Sequence, residues 1–274
     1  MPGNGLRKHP GPRERDIYAV SSAGETIYAE ATGDGPPLVL CHGLGGNHAI
    51  WWQQVDALAR GHRVVTWDQR GFGNSTARTG DMSIAAAAGD LLAVLAELNL
   101  WGACVLGQSM GAFTALRAVL TDASRTGSLI ISTSLAAAPP SHTEALNSAV
   151  DTRSGRDQHP VVSDEFSAKH PDLVVLYNLI SSFGAKPASS AMIAQMARTT
   201  FTDEELASIE LPVHFVAAER DQFCPPDVMA LASRRFRSAT TDVLTGASHS
   251  AYYEEPAAWN DLVLHLAAQS AVRP

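Results

Sequence analysis

With 274 residues, 45% of them hydrophobic, the chain can bury a full core, and a single α/β domain commonly reaches this size. A formal net charge of −8 and a pI near 5.6 argue against the basic stripe that nucleic-acid modules carry. Met1 to Arg15 is polar and partly basic without an apolar signal core, and no later run is long enough to span a bilayer. We therefore expect a soluble, cytoplasmic protein with a flexible segment at 1–15 and no nucleic-acid or membrane partner.

In chain order, Asp16 to Val20 and Thr26 to Ala31 flank a Ser-Ser-Ala-Gly turn, which predicts an antiparallel hairpin at a sheet edge. Pro37 to Cys41 is an apolar run that ends in His42-Gly43-Leu44-Gly45-Gly46, where glycines free a loop to aim backbone N–H groups at a developing oxyanion. Trp51 and Trp52 follow as candidate substrate contacts; being adjacent they cannot share a face, so one is expected in the core. Asp68 to Ser75 reads Asp-Gln-Arg-Gly-Phe-Gly-Asn-Ser, and its Asp68 and Arg70 are read as structural because buried loop charges satisfy backbone groups or each other. Ile84, Ala88, Leu91, Leu92, Leu95 and Leu98 recur at helical spacing.

Ala103 to Leu106 reads as a buried strand and Ala112 to Leu120 as a helix, with Gly107-Gln108-Ser109-Met110-Gly111 between them. A serine at a tight strand-to-helix turn needs small residues two before and two after it, and Gly107 and Gly111 meet that need. Beyond the strand Leu129 to Thr133 the alternation of strand and helix breaks. Residues 139–211 are read as a helical cap inserted into a core of 16–138 and 212–274. The cap opens with a polar loop at 151–158 and continues with helical patterns at Leu173 to Phe183, Ala188 to Arg198 and Asp203 to Ile209, where Thr202 and Glu205 have capping-box spacing. Its Tyr177, Phe183, Met192 and Met196 are read as lid core, and Arg153, Arg156 and Arg198 are left open between solvated side chains and cations for a substrate carboxylate.

Val213 to Ala218 is a further strand running into a loop with Asp221, the candidate acid, near Glu219 and Asp227. Thr241 to Leu244 leads to His249, the candidate base, and a last helix starts at Glu255-Pro256 with Trp259, Leu262, Val263 and Leu266 on one face. Phe223 and Ser250 flank the acid and base and are candidate pocket residues. The order Ser109, Asp221, His249 follows the strand ends, and the earlier strand end at Thr133 to Ala138 offers no carboxylate.

Cys41 and Cys104 fall in strands expected to be neighbours, but offset along them by on the order of 10 Å, beyond disulfide reach. Reduced, buried thiols are expected. Cys224 lies close to Asp221, yet no His/Cys spacing suits zinc and no dinucleotide glycine fingerprint occurs, so neither metal nor cofactor is expected.

These motifs and their order resemble the α/β-hydrolase-fold superfamily over nearly the whole chain from about Asp16, the Asp68 to Ser75 turn being similar to the D-x-R-G-x-G-x-S turn of many members. The resemblance implies a mostly parallel sheet covered by helices on both faces, with a cap, and a small-molecule substrate. It also implies Ser109 as nucleophile, His249 as base and Asp221 as its orienting acid, with the N–H groups of Leu44 and Met110 binding the oxyanion. A serine nucleophile disfavours the haloalkane dehalogenase and epoxide hydrolase branches. Three functions remain open: hydrolysis of a carboxylic ester or lactone, carbon–carbon hydrolysis of the ring-fission-product type, and ligand perception on the same fold. Met110-Gly111 and the Asp221, Phe223, Pro225 spacing resemble the second family. Gln108 stands where that family usually has asparagine, and Ser250 where it usually has tryptophan.

Overall fold

The computed structural model describes residues 14–139, 142 and 162–270. Most of the N-terminal segment expected to be flexible, and the polar loop at 151–158 with Arg153 and Arg156, lie outside the described residues. Arg15, counted with that segment in the sequence, instead opens a strand.

The hairpin forms as β1 (Arg15–Ser22) and β2 (Glu25–Thr32), turning at Ala23 and Gly24. β3 (Pro37–Cys41), β4 (Arg63–Trp67), β5 (Ala103–Gln108), β6 (Thr126–Ser132), β7 (Val213–Ala218) and β8 (Ala239–Leu244) complete an eight-stranded sheet of order β1-β2-β4-β3-β5-β6-β7-β8. β1 and β2 pair antiparallel, β2 joins β4 antiparallel, and every pairing from β4 through β3 to β8 is parallel. Strands β3, β5 and β7 are buried almost end to end, which is why they read as continuous apolar runs and not as alternating ones.

Helices cover both faces. α1 (Trp52–Leu58) and α10 (Pro256–Ser270) pack on one side; α2 (Ile84–Glu97), α3 (Met110–Thr121) and α8 (Pro226–Ser233) pack on the other. Ile84, Ala88, Leu91, Val94 and Leu95 form the buried stripe of α2, and Trp259, Val263 and Leu266 that of α10. Pairing of β3 with β5 sets Cys41 opposite Gly107 and Cys104 opposite Leu38, three positions apart in register, and all three cysteines are free and buried. Burial pushes the Cys41 thiol up to about 12 and the Cys104 thiol to about 11.

Between β6 and β7 the chain carries α4 (Asp164–Lys169), α5 (Pro171–Ser182), α6 (Ser189–Arg198) and α7 (Asp203–Ala207). The Thr202/Glu205 capping box is present on α7. Long-range bonds moor these helices to the core. Ser163 donates to Glu254 from Oγ (2.5 Å) and N (3.2 Å), Asn47 Nδ2 donates to Ile180 O (2.7 Å), and Tyr253 Oη to Leu173 O (2.7 Å).

The hairpin is tied to the Asp68 to Ser75 region through Glu25, which is buried and accepts hydrogen bonds from Thr76 Oγ1 (2.5 Å), Thr79 N (2.7 Å) and Arg78 N (2.9 Å). These bonds, that from Thr76 foremost, hold its carboxyl down at about 2 against an ordinary 4.5. A carboxyl with a depressed folded-state pKa contributes stability that is present above 4.5 and lost as pH falls toward about 2. Glu25→Gln is therefore expected to lower the urea midpoint at pH 7, with the deficit shrinking steadily toward pH 2. A deficit independent of pH would refute a role for the ionised carboxylate.

Candidate active site

Ser109 sits where β5 runs into α3, at φ 51° and ψ −116°. Such a positive φ costs a residue with a side chain on the order of 1–3 kcal/mol and persists only where its surroundings enforce it. Close packing enforces it here. A Cβ on Gly111 would lie 2.2 Å from the Cys41 carbonyl oxygen, and one on Gly107 would lie 2.4 Å from Ala112 Cα. With glycine at both places, helix and strands close tightly around the serine. Ser109 N–H donates to Ser132 O (3.0 Å), and Ser134 Oγ donates to Ser109 O (2.7 Å), so the strained residue is also tied to β6 and the residues after it.

The loops after β7 and β8 bring Asp221 and His249 to this turn. His249 Nε2 lies 3.1 Å from Ser109 Oγ, and His249 Nδ1 lies 2.8 Å from Asp221 Oδ2. The other carboxylate oxygen of Asp221 accepts from Phe223 N (2.8 Å) and Cys224 N (3.0 Å), which aims Oδ2 at the imidazole. Asp221 and His249 are both buried, so this pairing is shielded from water. With Nδ1–H donating to Asp221, the Nε2 lone pair faces the serine hydroxyl, and the imidazole can take its proton. Gln108 adds a brace: its Nε2 donates to Thr133 Oγ1 (3.1 Å) and to His249 O (3.3 Å), joining the elbow to the histidine loop.

Two backbone N–H groups are candidates for holding an anion here, one on the residue after Ser109 and one on a residue that lines the cavity. Met110 is the first residue of α3, at the positive end of the helix, and Leu44 lies in the glycine loop after β3. Among the described residues neither N–H has an acceptor. The loop is held from behind by His42, whose Nε2 accepts from Gln69 N (3.1 Å) while Gln69 Nε2 donates to His42 O (2.7 Å). Burial lowers the pKa of His42, consistent with a neutral ring that can accept.

Above Ser109 opens a cavity of about 180 Å³. The core side of its wall comes from Leu44, Gln108, Phe113, Phe223, His249 and Ser250; the inserted helices contribute Tyr177, Ser189, Ile193 and Met196, and the connection between α5 and α6 contributes Lys186. Tyr177 and Tyr252 lie 3.4 Å apart through their hydroxyls, and burial raises both phenols, so they are neutral hydrogen-bonding groups. Donor atoms of Asp221, Cys224 and His249 lie within 4.8 Å of one another. Burial, and then the Asp221 carboxylate, push the Cys224 thiol well above its ordinary range.

Residues 36–174 match the family described as the alpha/beta hydrolase fold. The chain belongs to that family. This α/β-hydrolase is 29% identical to 3-oxoadipate enol-lactonase 1 of Acinetobacter baylyi over 216 residues, 75% of this chain and 79% of that protein. It is 27% identical to a pimeloyl-[acyl-carrier protein] methyl ester esterase of Yersinia enterocolitica over 263 residues, 89% of this chain and 98% of that one. A solved thermophilic esterase from Thermogutta terrifontis superposes with a TM-score of 0.79 at 22% identity, covering 94% of this chain and 99% of that one, and so shares the fold. The protein is a hydrolase enzyme.

Within the α/β-hydrolase site, Ser109, His249 and Asp221 are joined by hydrogen bonds, Leu44, Phe223 and Ser250 line the cavity with Ser109 and His249, and Met110 directly follows Ser109 without being part of the wall. The two tryptophans do not line it. Trp51 is fully buried, with its ring stacked 5.7 Å from Trp259 and tilted against Tyr252 at 4.8 Å, while Trp52 is 46% exposed with its edge toward Tyr253. Both sit where a 3₁₀ turn (His48–Trp51) passes into α1, and α1 packs against α10. Of the four expected lid-core residues, Met192 is buried, Tyr177 and Met196 are buried yet also line the cavity, and Phe183 is 70% exposed. Asp68 and Arg70 are structural, but not as each other's partners. Asp68 accepts from His48 N (2.6 Å) and Asn74 N (2.7 Å), and Arg70 pairs with Asp90. Sequence reasoning missed Lys186; its only local signal is a Gly-Ala-Lys-Pro turn between two helical patterns.

Proposed function

We propose that this α/β-hydrolase is a serine hydrolase that cleaves a small carboxylic ester or lactone through an acyl-enzyme. The observation that carries the reading is the line of hydrogen bonds Ser109 Oγ, His249, Asp221 beside two unengaged N–H groups. His249 takes the serine proton as Oγ attacks the carbonyl carbon, and Asp221 stabilises the imidazolium. The N–H groups of Leu44 and Met110 bind the oxygen as it becomes anionic, an effect worth about 3–4 kcal/mol per donor in comparable sites. His249 then returns its proton to the leaving oxygen. A water deprotonated by the same imidazole attacks the acyl carbon and frees the acid and Ser109. The inserted helices act as a cap that shapes the pocket and excludes bulk water.

The relatives that are named as an enol-lactonase and a methyl ester esterase support a carboxylic-ester or lactone bond as the target. Carbon–carbon hydrolysis is the second reading, favoured by one observation. Such a reaction needs a cation or strong donor for a substrate carboxylate, and Lys186 supplies a cation to the cavity wall. Gln108 and Ser250 are the departures that set it second.

Steady-state assays comparing esters and lactones with a ring-fission dienoate, with and without exhaustive chelation, separate the two. Ester or lactone turnover is expected, insensitive to chelation. A kcat/KM for the dienoate about a hundredfold above every ester and lactone would reverse the order of the readings. Activity that vanished with a removable metal and returned on its addition would overturn the metal-free mechanism.

A further inference from the structure

Lys186 is the one formally charged side chain among the described residues lining the cavity, apart from the imidazole of His249 when protonated. Among the described residues no carboxylate lines the wall; Asp221 stands behind His249. Lys186 is exposed at the mouth, and among the described residues no acidic side chain pairs with it. That is unusual company for a cation on a chain of net charge −8, where acidic neighbours are plentiful.

Its position is built, not incidental. The preceding residue, Ala185, exchanges two backbone hydrogen bonds with Gly73 of the Asp68 to Ser75 turn: Gly73 N to Ala185 O at 2.9 Å and Ala185 N to Gly73 O at 3.1 Å. Approach is close enough that a Cβ on Gly184, itself at φ +73°, would lie 2.3 Å from Gly73 O. Gly73 is held in turn by Asp68, which accepts from the next residue's N–H at 2.7 Å. The Lys186 backbone is thus clamped to the core next to the cavity. Pro187 follows it and limits the backbone further. Two residues on, α6 begins at Ser189, also in the cavity wall, with no side-chain cap and no acidic residue in its first turn. A second polar group lies inside: Ser250 is 1% exposed, lines the cavity and interacts with the hydroxyls of Tyr177 and Tyr252.

From this placement we propose that the substrate carries a carboxylate in addition to the bond that is cleaved, and that Lys186 selects it. This rests on the serine-hydrolase reading above. The bulk field of an acidic protein repels anions, so a clamped, unpaired cation at the mouth is what admits one and holds its charged end away from Ser109. The apolar wall of Leu135, Ile193 and Met196 accommodates the chain between the two ends. Lys186 is a specificity-determining residue in this proposal and takes no part in bond cleavage.

The test compares matched ester pairs that differ only in charge. Monomethyl succinate, glutarate and adipate are set against the methyl esters of the corresponding monoamides, and acetate esters of glycolic and 3-hydroxypropanoic acids against those of their amides. In wild type at low salt, kcat/KM for at least one acid is expected to exceed that of its amide about tenfold, a difference of about 1.4 kcal/mol. Lys186→Met should collapse that ratio toward one, chiefly by raising KM for the acid, and Lys186→Arg should keep most of it. Raising salt should erode the preference in wild type and not in Lys186→Met. Equal or better turnover of every amide in wild type, or a preference that Lys186→Met leaves intact, overturns the proposal. The amide series keeps the two readings apart. If Ser109→Ala abolishes amide-series turnover while no acid is preferred, the serine-hydrolase reading stands and the Lys186 proposal falls. Turnover of both series that survives Ser109→Ala overturns the underlying reading instead.

Discussion

Ser109→Ala is expected to lower kcat on esters by about 10⁴-fold or more, a loss of about 5.5 kcal/mol of transition-state stabilisation, while the fold stays in place. In the proposed mechanism, removing Oγ takes away both the nucleophile and the hydroxyl whose proton His249 takes, 3.1 Å from Nε2. Among the described residues no other serine of the wall replaces it: Ser134, Ser189 and Ser250 also line the cavity, but none has a hydrogen bond to the imidazole. The fold should survive, because the turn is maintained by the backbone bond from Ser109 N to Ser132 O and by the small residues Gly107 and Gly111, none of which alanine disturbs. Circular dichroism and a urea midpoint report the fold, and stopped assays report kcat. Wild type incubated with a fluorophosphonate should gain one adduct by intact mass, mapped to Ser109, and the alanine variant should gain none. Retention of more than a tenth of wild-type turnover, or labelling elsewhere, would sink the assignment of the nucleophile.

The parts of the site that could be read in the sequence are those set by local geometry. Gly107 and Gly111 flank Ser109 because the strand and helix cannot meet otherwise, and that demand is written within five residues. Strand ends place Asp221 and His249 because parallel strands deliver all their C-terminal loops to one edge of the sheet. The same logic let the register of β3 against β5 be anticipated closely enough to keep Cys41 and Cys104 apart. What was not legible depends on contacts between distant segments. Lys186 reaches the cavity because Ala185 pairs with Gly73, more than a hundred positions earlier, and no periodicity announces a bridge between two loops. For the two tryptophans, adjacency was enough to expect one ring in the core, as Trp51 is, but which ring faces inward is decided by Trp259 and Tyr252 at the far end of the chain. Helix α4 did leave a local trace, with Ser163 capping it, Asp164 and Glu165 in its first turn and Lys169 paired to Glu165 at 2.6 Å, but six residues are too few for periodicity to show.

The second large effect is expected at Arg70 and Asp90. Arg70 Nε and Nη2 each donate to one carboxylate oxygen of Asp90 at 2.7 Å, and Nη1 donates to Asp81 O at 3.0 Å. The two side chains are only 4% and 0% exposed, so the pair is a buried fork joining the Asp68 to Ser75 turn to α2. The hydrogen bonds to Asp90 are the first cause of a raised Arg70 pKa, so the guanidinium stays charged. Replacing Arg70 by methionine leaves a buried carboxylate without its partner, at a cost of about 3–5 kcal/mol, which is a large share of the roughly 5–15 kcal/mol by which such domains are stable. The double variant Arg70→Met, Asp90→Leu exchanges the charges for apolar groups of similar size and is expected to recover most of that loss. Urea denaturation of the two single variants and the double variant closes the cycle, and a single-variant cost below about 1 kcal/mol, or a double variant as unstable as the sum, would contradict a buried, mutually dependent pair. The same turn carries Gly73, so loosening it by Arg70→Met also releases the strap that positions Lys186. Where the single variant remains folded, its preference for the acid over the amide ester is therefore expected to fall while turnover of the amide persists, because Ser109, His249 and Asp221 are held by other strands.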